Sequence, residues 1–431
     1  MKTGKTIKLN KVTHVLIIVA CLLYIFTFQM NYPMEAEVFL YITASLLVAQ
    51  MFLLGRVSIV LQTLLFGLVA FVSFLGLFYS EMLEEGLRES LLFCLFFFVF
   101  LLSRGSLNMV KRFVKWVYII SVLVTVTVII HSLVPEQFNE FAEGILRKDC
   151  YDQLMWSYTV DNAYAGVSAY TANAALFAAI AMGQSFLNLY PKYGTPVIKN
   201  KLVNILFVII GVYAVILCSK RGVFLAVIGG VIVLLASIYR KRSFFLRMVG
   251  VIAACSLLMI ILYKTNETVA TFLDRFIKTE NFYTGRDEIF RKILDSFFDG
   301  NVFVGYGTGA TYKIYASGAH NIYLELLYDH GVIFSLPFFA LFAVNYYKAA
   351  KNKARMSLFV QSVFLIYGFS GNPLYTNMFM LIYVFYTLYA SYPEEVRNEG
   401  GNLNLPQRRE LRRGFAGIRF TANRRKSWNK L

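Results

Sequence analysis

Long apolar runs punctuate the chain, at about 13–30, 36–54, 57–79, 87–102, 113–133, 163–187, 202–219, 222–238, 246–263, 321–345, 357–371 and 373–390. A helix needs about 20 such residues to cross the hydrocarbon core of a bilayer. Lipid offers the backbone no hydrogen-bond partners, so runs like these take a form that satisfies its own N–H and C=O groups. The expectation is an all-α polytopic integral membrane protein of about twelve transmembrane helices. Charged residues make up 16% of the chain, against about 25% in soluble domains, which excludes a large soluble body. Lys2, Lys5, Lys8 and Lys11 precede the first run, and no small-residue cleavage site follows it. That run is expected to remain as a helix and not to be a signal peptide.

The formal net charge of +17 would suit nucleic acid, but its placement has another cause. With the N-terminus in the cytoplasm, 30 of the 42 lysines and arginines fall on the cytoplasmic side of the twelve runs, as the positive-inside rule requires. Both termini are then cytoplasmic, no nucleic-acid partner is expected, and residues 264–320 form a long extracytoplasmic loop. Residues 1–390 read as one membrane-embedded bundle including that loop. Residues 391–431 read as a basic, disordered tail drawn to anionic inner-leaflet lipid. The cysteines Cys21, Cys94, Cys150, Cys218 and Cys255 are scattered and form no CxxC, so neither a disulfide framework nor a metal site is expected.

The stretch from Thr284 to Gly331 departs from generic membrane sequence. Thr284-Gly285-Arg286-Asp287 reads as a capped helix start. Ile289, Phe290, Ile293, Leu294, Phe297 and Phe298 follow at helical spacing, predicting an amphipathic helix over 285–298 that can lie in the interface. Gly305-Tyr306-Gly307-Thr308-Gly309 predicts a flexible turn able to approach a ligand closely. His320-Asn321 stands before a long apolar run in which Asn321, Glu325 and Asp329 share one helical face. A polar stripe on an apolar span needs a protein or water-filled partner: a cavity, or polar packing between helices. Of the histidines, His320 is placed to accept a hydroxyl proton. His14 and His131 read as structural, and His330 as a protein-facing residue whose loss would be mild. Lys220-Arg221 separates two apolar runs with almost no loop. Those cations either snorkel to lipid phosphates or hold an anionic ligand.

The segments Arg-Asp-Glu-Ile-Phe (286–290), Gly-Tyr-Gly-Thr-Gly (305–309) and His-Asn-Ile-Tyr-Leu-Glu-Leu-Leu-Tyr-Asp-His-Gly (320–331) resemble the signature loop of the O-antigen ligase and polymerase superfamily of bacterial membrane glycosyltransferases. The resemblance implies a GT-C-like fold in the bacterial cytoplasmic membrane. It also implies an inverting glycosyl transfer from an undecaprenyl-pyrophosphate-linked oligosaccharide to an acceptor glycan. Carried over by position, Arg221, Arg286 and Lys220 would bind the donor pyrophosphate and His320 would be the catalytic base. Asn321, Glu325, Tyr306 and Asn173 would orient substrate. The expected partners are the lipid-linked donor, the acceptor, membrane lipid, and the flippase and chain-length regulator of the same pathway.

No Gly-rich loop ending in Gly-Lys-Ser/Thr, no GxGxxG and no Asp-x-Asp occurs, so neither a nucleoside triphosphate nor a metal-bound nucleotide sugar is expected. No cofactor is expected, because arginines can take the pyrophosphate charge. Polymerase is the favoured activity and ligase the alternative. A non-enzymatic flippase or transporter would show two matching halves with broken helices, and the sequence shows no such repeat.

Overall fold

The computed structural model of the chain describes residues 59–104, 107–193, 196–238, 267–277, 286–315, 318–375 and 377–398, with isolated residues before and between. Among the described residues every regular element is helical. Helices α1 (Leu61–Leu77) and α2 (Leu83–Ser103) form a hairpin, followed by α3 (Leu107–Leu133). Two short surface helices, α4 (Pro135–Ile145) and α5 (Lys148–Asp161), lead to α6 (Thr171–Asn188), α7 (Lys201–Leu217) and α8 (Arg221–Ile238). The 264–320 stretch contains α9 (Glu267–Ile277), α10 (Arg286–Asp299) and the single turn α11 (Thr311–Ile314). Then come α12 (Ile322–Lys351), α13 (Arg355–Tyr367), α14 (Asn377–Ala390) and α15 (Glu394–Asn398).

Four of these, α2, α3, α8 and α12, are long and apolar enough to cross a membrane, and α1, α7, α13 and α14 are shorter apolar helices. Their outward faces are greasy: Leu64, Phe71, Leu123, Leu202, Ile209, Ile228 and Leu336 are all exposed. In water so many exposed large apolar side chains would be an aggregation liability; in lipid they are solvated. The chain is a helical, membrane-embedded protein. Of the twelve expected runs, 13–30, 36–54 and 246–263 lie largely outside the described residues.

The run 163–187 forms a helix only from Thr171. Before it, Asn162, Gly166 and Ala169 adopt positive φ and the chain turns against α3. Side chains of α3 take the backbone N–H groups that a longer helix would have used. His131 Nδ1 accepts from Gly166 N at 3.3 Å, and Thr127 Oγ1 from Val167 N at 3.2 Å. His131 thus has a structural partner, as its position suggested.

Contacts sort the connections into two ends of the bundle. At one end, Tyr193 donates to the Ile238 carbonyl at 3.1 Å, Arg355 lies 3.9 Å over the Tyr193 ring, and the Tyr392 hydroxyl meets the Arg104 carbonyl. At the other, Tyr164 N bonds Leu217 O at 3.0 Å, Ser80 Oγ bonds Thr308 O at 2.8 Å, and Arg286 Nη1 bonds Ser370 O at 2.7 Å. Structure also persists past residue 390. Arg355 bonds Glu394 at 2.8 Å, and buried Arg397 donates to Asn352 O at 2.6 Å, so the folded part runs on to Asn398. The rest of the expected tail, 399–431, lies outside the described residues.

Helix α12 is broken, not continuous. Gly331 sits at φ 63°, ψ −179° inside it, a backbone region open in practice to glycine alone. The Gly305–Gly309 turn fills the break. Tyr306 N and Gly307 N donate to the carbonyls of Tyr328 and Asp329, at 3.0 and 2.8 Å. Beyond the break, Val332 N and Ile333 N donate to Val302 and Phe303, at 2.9 and 3.0 Å. A Cβ on Gly305 would collide with Gly331 N, and one on Gly307 would lie 2.6 Å from Ser80 Cα. The expected close approach is therefore real, but the backbone approached is protein and not ligand. Gly331→Ala should cost about 1–3 kcal/mol through backbone strain alone, plus its clash with Phe303 and Gly305. A lowered thermal midpoint of the purified protein is the expected readout, and an unchanged midpoint would contradict this description.

Candidate functional site

The turn after α13, at Gly368–Ser370, gathers the residues of the candidate site. Ile322 N, at the start of α12, donates to Gly368 O at 2.9 Å. Arg286, the first residue of α10, donates to Ser370 O at 2.7 Å. Gly222, in the first turn of α8, abuts Ser370 so closely that a Cβ there would collide with Oγ. Three helices thus begin beside one turn, and each helix start carries partial positive charge. Arg221, Arg286 and His320 come from distant parts of the sequence to the same end of the bundle. The Thr284 cap expected for α10 lies outside the described residues, but the helix itself runs over Arg286–Asp299. Part of its apolar face packs on protein: Ile293 and Phe297 are buried with Ala310, Ala319 and Tyr328, while Phe298 stays exposed.

His320 holds the left-handed conformation at φ 51°, uncommon for a residue with a side chain and found most often where a site over-determines it. Its ring stands edge-on to Tyr315 at 6.2 Å. Burial first, then the charges of Arg286 and Lys220, push its pKa down to about 4, so near neutral pH the imidazole is uncharged. Burial also lowers the Arg286 pKa, opposed by Tyr367 and Tyr315; the guanidinium still stays charged. Lys220 reaches Asp161, at the end of α5, at 3.4 Å with both side chains partly exposed. An ion pair of that length and exposure is worth little, which leaves the lysine able to exchange partners.

The polar stripe of α12 divides into different roles. Asn321 caps the helix, its Oδ1 accepting from Tyr323 N at 3.0 Å and Leu324 N at 3.2 Å. Asp329 is fully buried and latches the glycine turn, accepting from Thr311 N (2.8 Å), Thr311 Oγ1 (2.6 Å) and Gly309 N (3.1 Å). Glu325 Oε2 accepts from Ala319 N at 3.2 Å, one residue before His320, while its Oε1 has no partner. Tyr306, assigned by resemblance to substrate, donates to Ser296 O at 2.6 Å and stacks on Tyr328 at 4.6 Å, so it serves the loop scaffold. Asn173 lies buried in the first turn of α6. His330 is fully buried and stacks on Phe338 at 4.9 Å. It faces protein, as expected, and its truncation would leave a cavity in that packing.

Several residues of this end carried no readable motif: Ser370, which presents a carbonyl to Arg286; Tyr315, beside His320; and Asp161, on Lys220. Among the described residues no three His, Cys, Asp or Glu side chains converge as metal ligands. Chemically, the arrangement offers cations for an anionic group next to a neutral proton acceptor, at one end of a membrane bundle. Compared with known proteins, the chain matches no family model and no curated sequence.

Proposed function

We propose that the chain is a membrane glycosyltransferase that extends a polysaccharide from undecaprenyl-pyrophosphate-linked repeats at the outer face of the bacterial cytoplasmic membrane. In this reading the bundle has about twelve spans and both termini are cytoplasmic. The supporting observation is the meeting of an uncharged His320 with Arg286 and Lys220, close enough for both cations to lower its pKa. Cations that merely snorkel to lipid have no reason to gather at a half-buried imidazole.

The chemistry is a single inverting displacement. The acceptor hydroxyl oxygen forms its bond to the donor anomeric carbon while the bond from that carbon to the pyrophosphate oxygen breaks. The hydroxyl proton passes to the His320 imidazole, and the electron pair leaves with the pyrophosphate, held by Arg221, Arg286 and Lys220. A base of pKa about 4 is weak in the free protein. Burial is the larger cause of that depression, and the incoming pyrophosphate offsets the remainder, which comes from Arg286 and Lys220, so the base strengthens as the donor binds.

Reconstitution with purified lipid-linked repeats tests this reading. Longer lipid-linked glycan is the polymerase outcome, and transfer to a lipid A core or protein is the ligase outcome. A transporter is the competing class, favoured by the break in α12 beside buried Glu325 and Asp329. It would move the intact donor across sealed vesicles and form no new glycosidic bond.

A further inference from the structure

A polar cavity of about 120 Å³ opens beside the candidate site at the α1–α2 end of the glycine turn. Glu85, Arg88, Glu89 and Phe93 from one face of α2, Tyr312 from α11 and Tyr375 from the link before α14 line it. That volume holds several waters. Glu89 is 6% exposed, and neither of its carboxylate oxygens has a hydrogen-bond partner; the Tyr375 hydroxyl has none either. The Tyr312 phenol stands near Glu89 without closing a hydrogen bond of good geometry. A buried carboxylate without a partner costs several kcal/mol, more than a fold keeps without a use for it.

The ligand chemistry follows from the walls. Carboxylates and phenols accept or donate hydrogen bonds at separate points, and a phenyl wall faces them, so the fitting ligand has a rim of hydroxyls and apolar C–H faces. The acidic oxygens do not converge as metal ligands, and the lining sets two carboxyl groups against one cation, Arg88, so the walls hold no surplus of positive charge for an acidic ligand. The cavity also connects to the imidazole. Gly318 stands against both Asn372 and Glu325, a Cβ there lying 2.6 Å from Asn372 Nδ2 and 2.9 Å from Glu325 Oε1. Glu325 in turn bonds Ala319, the neighbour of His320. Residues 370–375 thus run from the arginine carrying the pyrophosphate reading to the tyrosine of the cavity.

We propose that this cavity is the subsite for the acceptor sugar, taking one uncharged sugar ring with Glu89 and Tyr375 as its hydroxyl partners. The assignment rests on the transfer reading above. Two nearly isosteric variants test it, Glu89→Gln and Tyr375→Phe, each checked for monodisperse folded protein; if one fails to fold, the other carries the test. In the reconstituted reaction each should raise the acceptor KM about tenfold or more, with kcat and donor affinity within about twofold. A merely structural role would weaken donor binding as well. A binding arm needs no turnover: saturation-transfer NMR on protein in nanodiscs, with methyl glucoside and methyl glucuronide as probes. Wild type should show signal with the neutral glycoside and little with the acidic one, and the variants should lose it. An unchanged acceptor KM in the folded variants, or equal binding of the two glycosides by wild type, would overturn the subsite. If wild type forms no glycosidic bond yet binds the neutral glycoside through Glu89, the transfer reading fails and the sugar site stands.

Discussion

Arg286→Ala should bind the lipid-linked donor about 30- to 100-fold more weakly and stop product formation. The side chain is half-buried at the start of α10, and one arm of its guanidinium is fixed on Ser370 O. That bond pre-orients the fork, so a phosphate pair can take the remaining donors with little further loss of side-chain freedom. Hydrogen bonds to charged groups contribute about 1.5–3 kcal/mol each, and partial exposure trims the Coulombic share. Arg286→Lys should rescue poorly, since an ammonium is a compact point charge without the planar fork that spans Ser370 O and a phosphate pair. Donor affinity in nanodiscs, with undecaprenyl pyrophosphate as the probe, is the measurement. Wild-type affinity in the alanine variant would make Arg286 a strut for the Ser370 turn and no more.

His320→Ala should separate chemistry from binding. A positioned base contributes about 10²–10⁴-fold, so kcat should fall by that order. Donor affinity should hold or rise slightly, because the imidazole is uncharged and the cations do the holding. The pH profile adds a signature. With a folded pKa of about 4 against about 6.5 for an unperturbed histidine, kcat/KM, which reports the free protein, should stay level from pH 8 to about 5. It should fall only toward pH 4. The sign for stability follows from the same shift. Between about 6.5 and 4 the unfolded chain binds a proton that the folded chain does not, so acidification through that window destabilises the fold. A kcat/KM that halves near pH 6.5 would mean a histidine outside this cationic pocket.

Much of the scaffold was legible in the sequence because lipid forces helices to announce themselves as apolar runs. The α8 start at Arg221, the α10 start at Arg286 and the α12 start after His320 were all readable from charge placement and caps. What was not readable depended on backbone meeting backbone. Gly-Tyr-Gly-Thr-Gly looks the same whether it cradles a ligand or plugs a broken helix, and only the contacts of Gly305 with Gly331 decide. Nor does the spacing of Asn321, Glu325 and Asp329 reveal that one caps, one latches a loop and one keeps an oxygen without a partner. Between two of the apolar runs, α4 and α5 are short helices too polar to register among those runs. From sequence Glu89 is only one of four carboxylates in the acidic stretch 80–89, with Glu81, Glu84 and Glu85, and its missing partner is visible only in the fold.

The central claim is that the cations around His320 hold a pyrophosphate leaving group. The most direct measurement is single-turnover reaction of purified protein with phosphorus-labelled lipid-linked repeat and acceptor. One free undecaprenyl pyrophosphate should appear for each glycosidic bond made, at the same rate, and neither product should appear with Arg286→Ala. Glycosidic bonds formed without release of undecaprenyl pyrophosphate, or intact donor crossing the vesicle wall with no bond formed, would contradict the account.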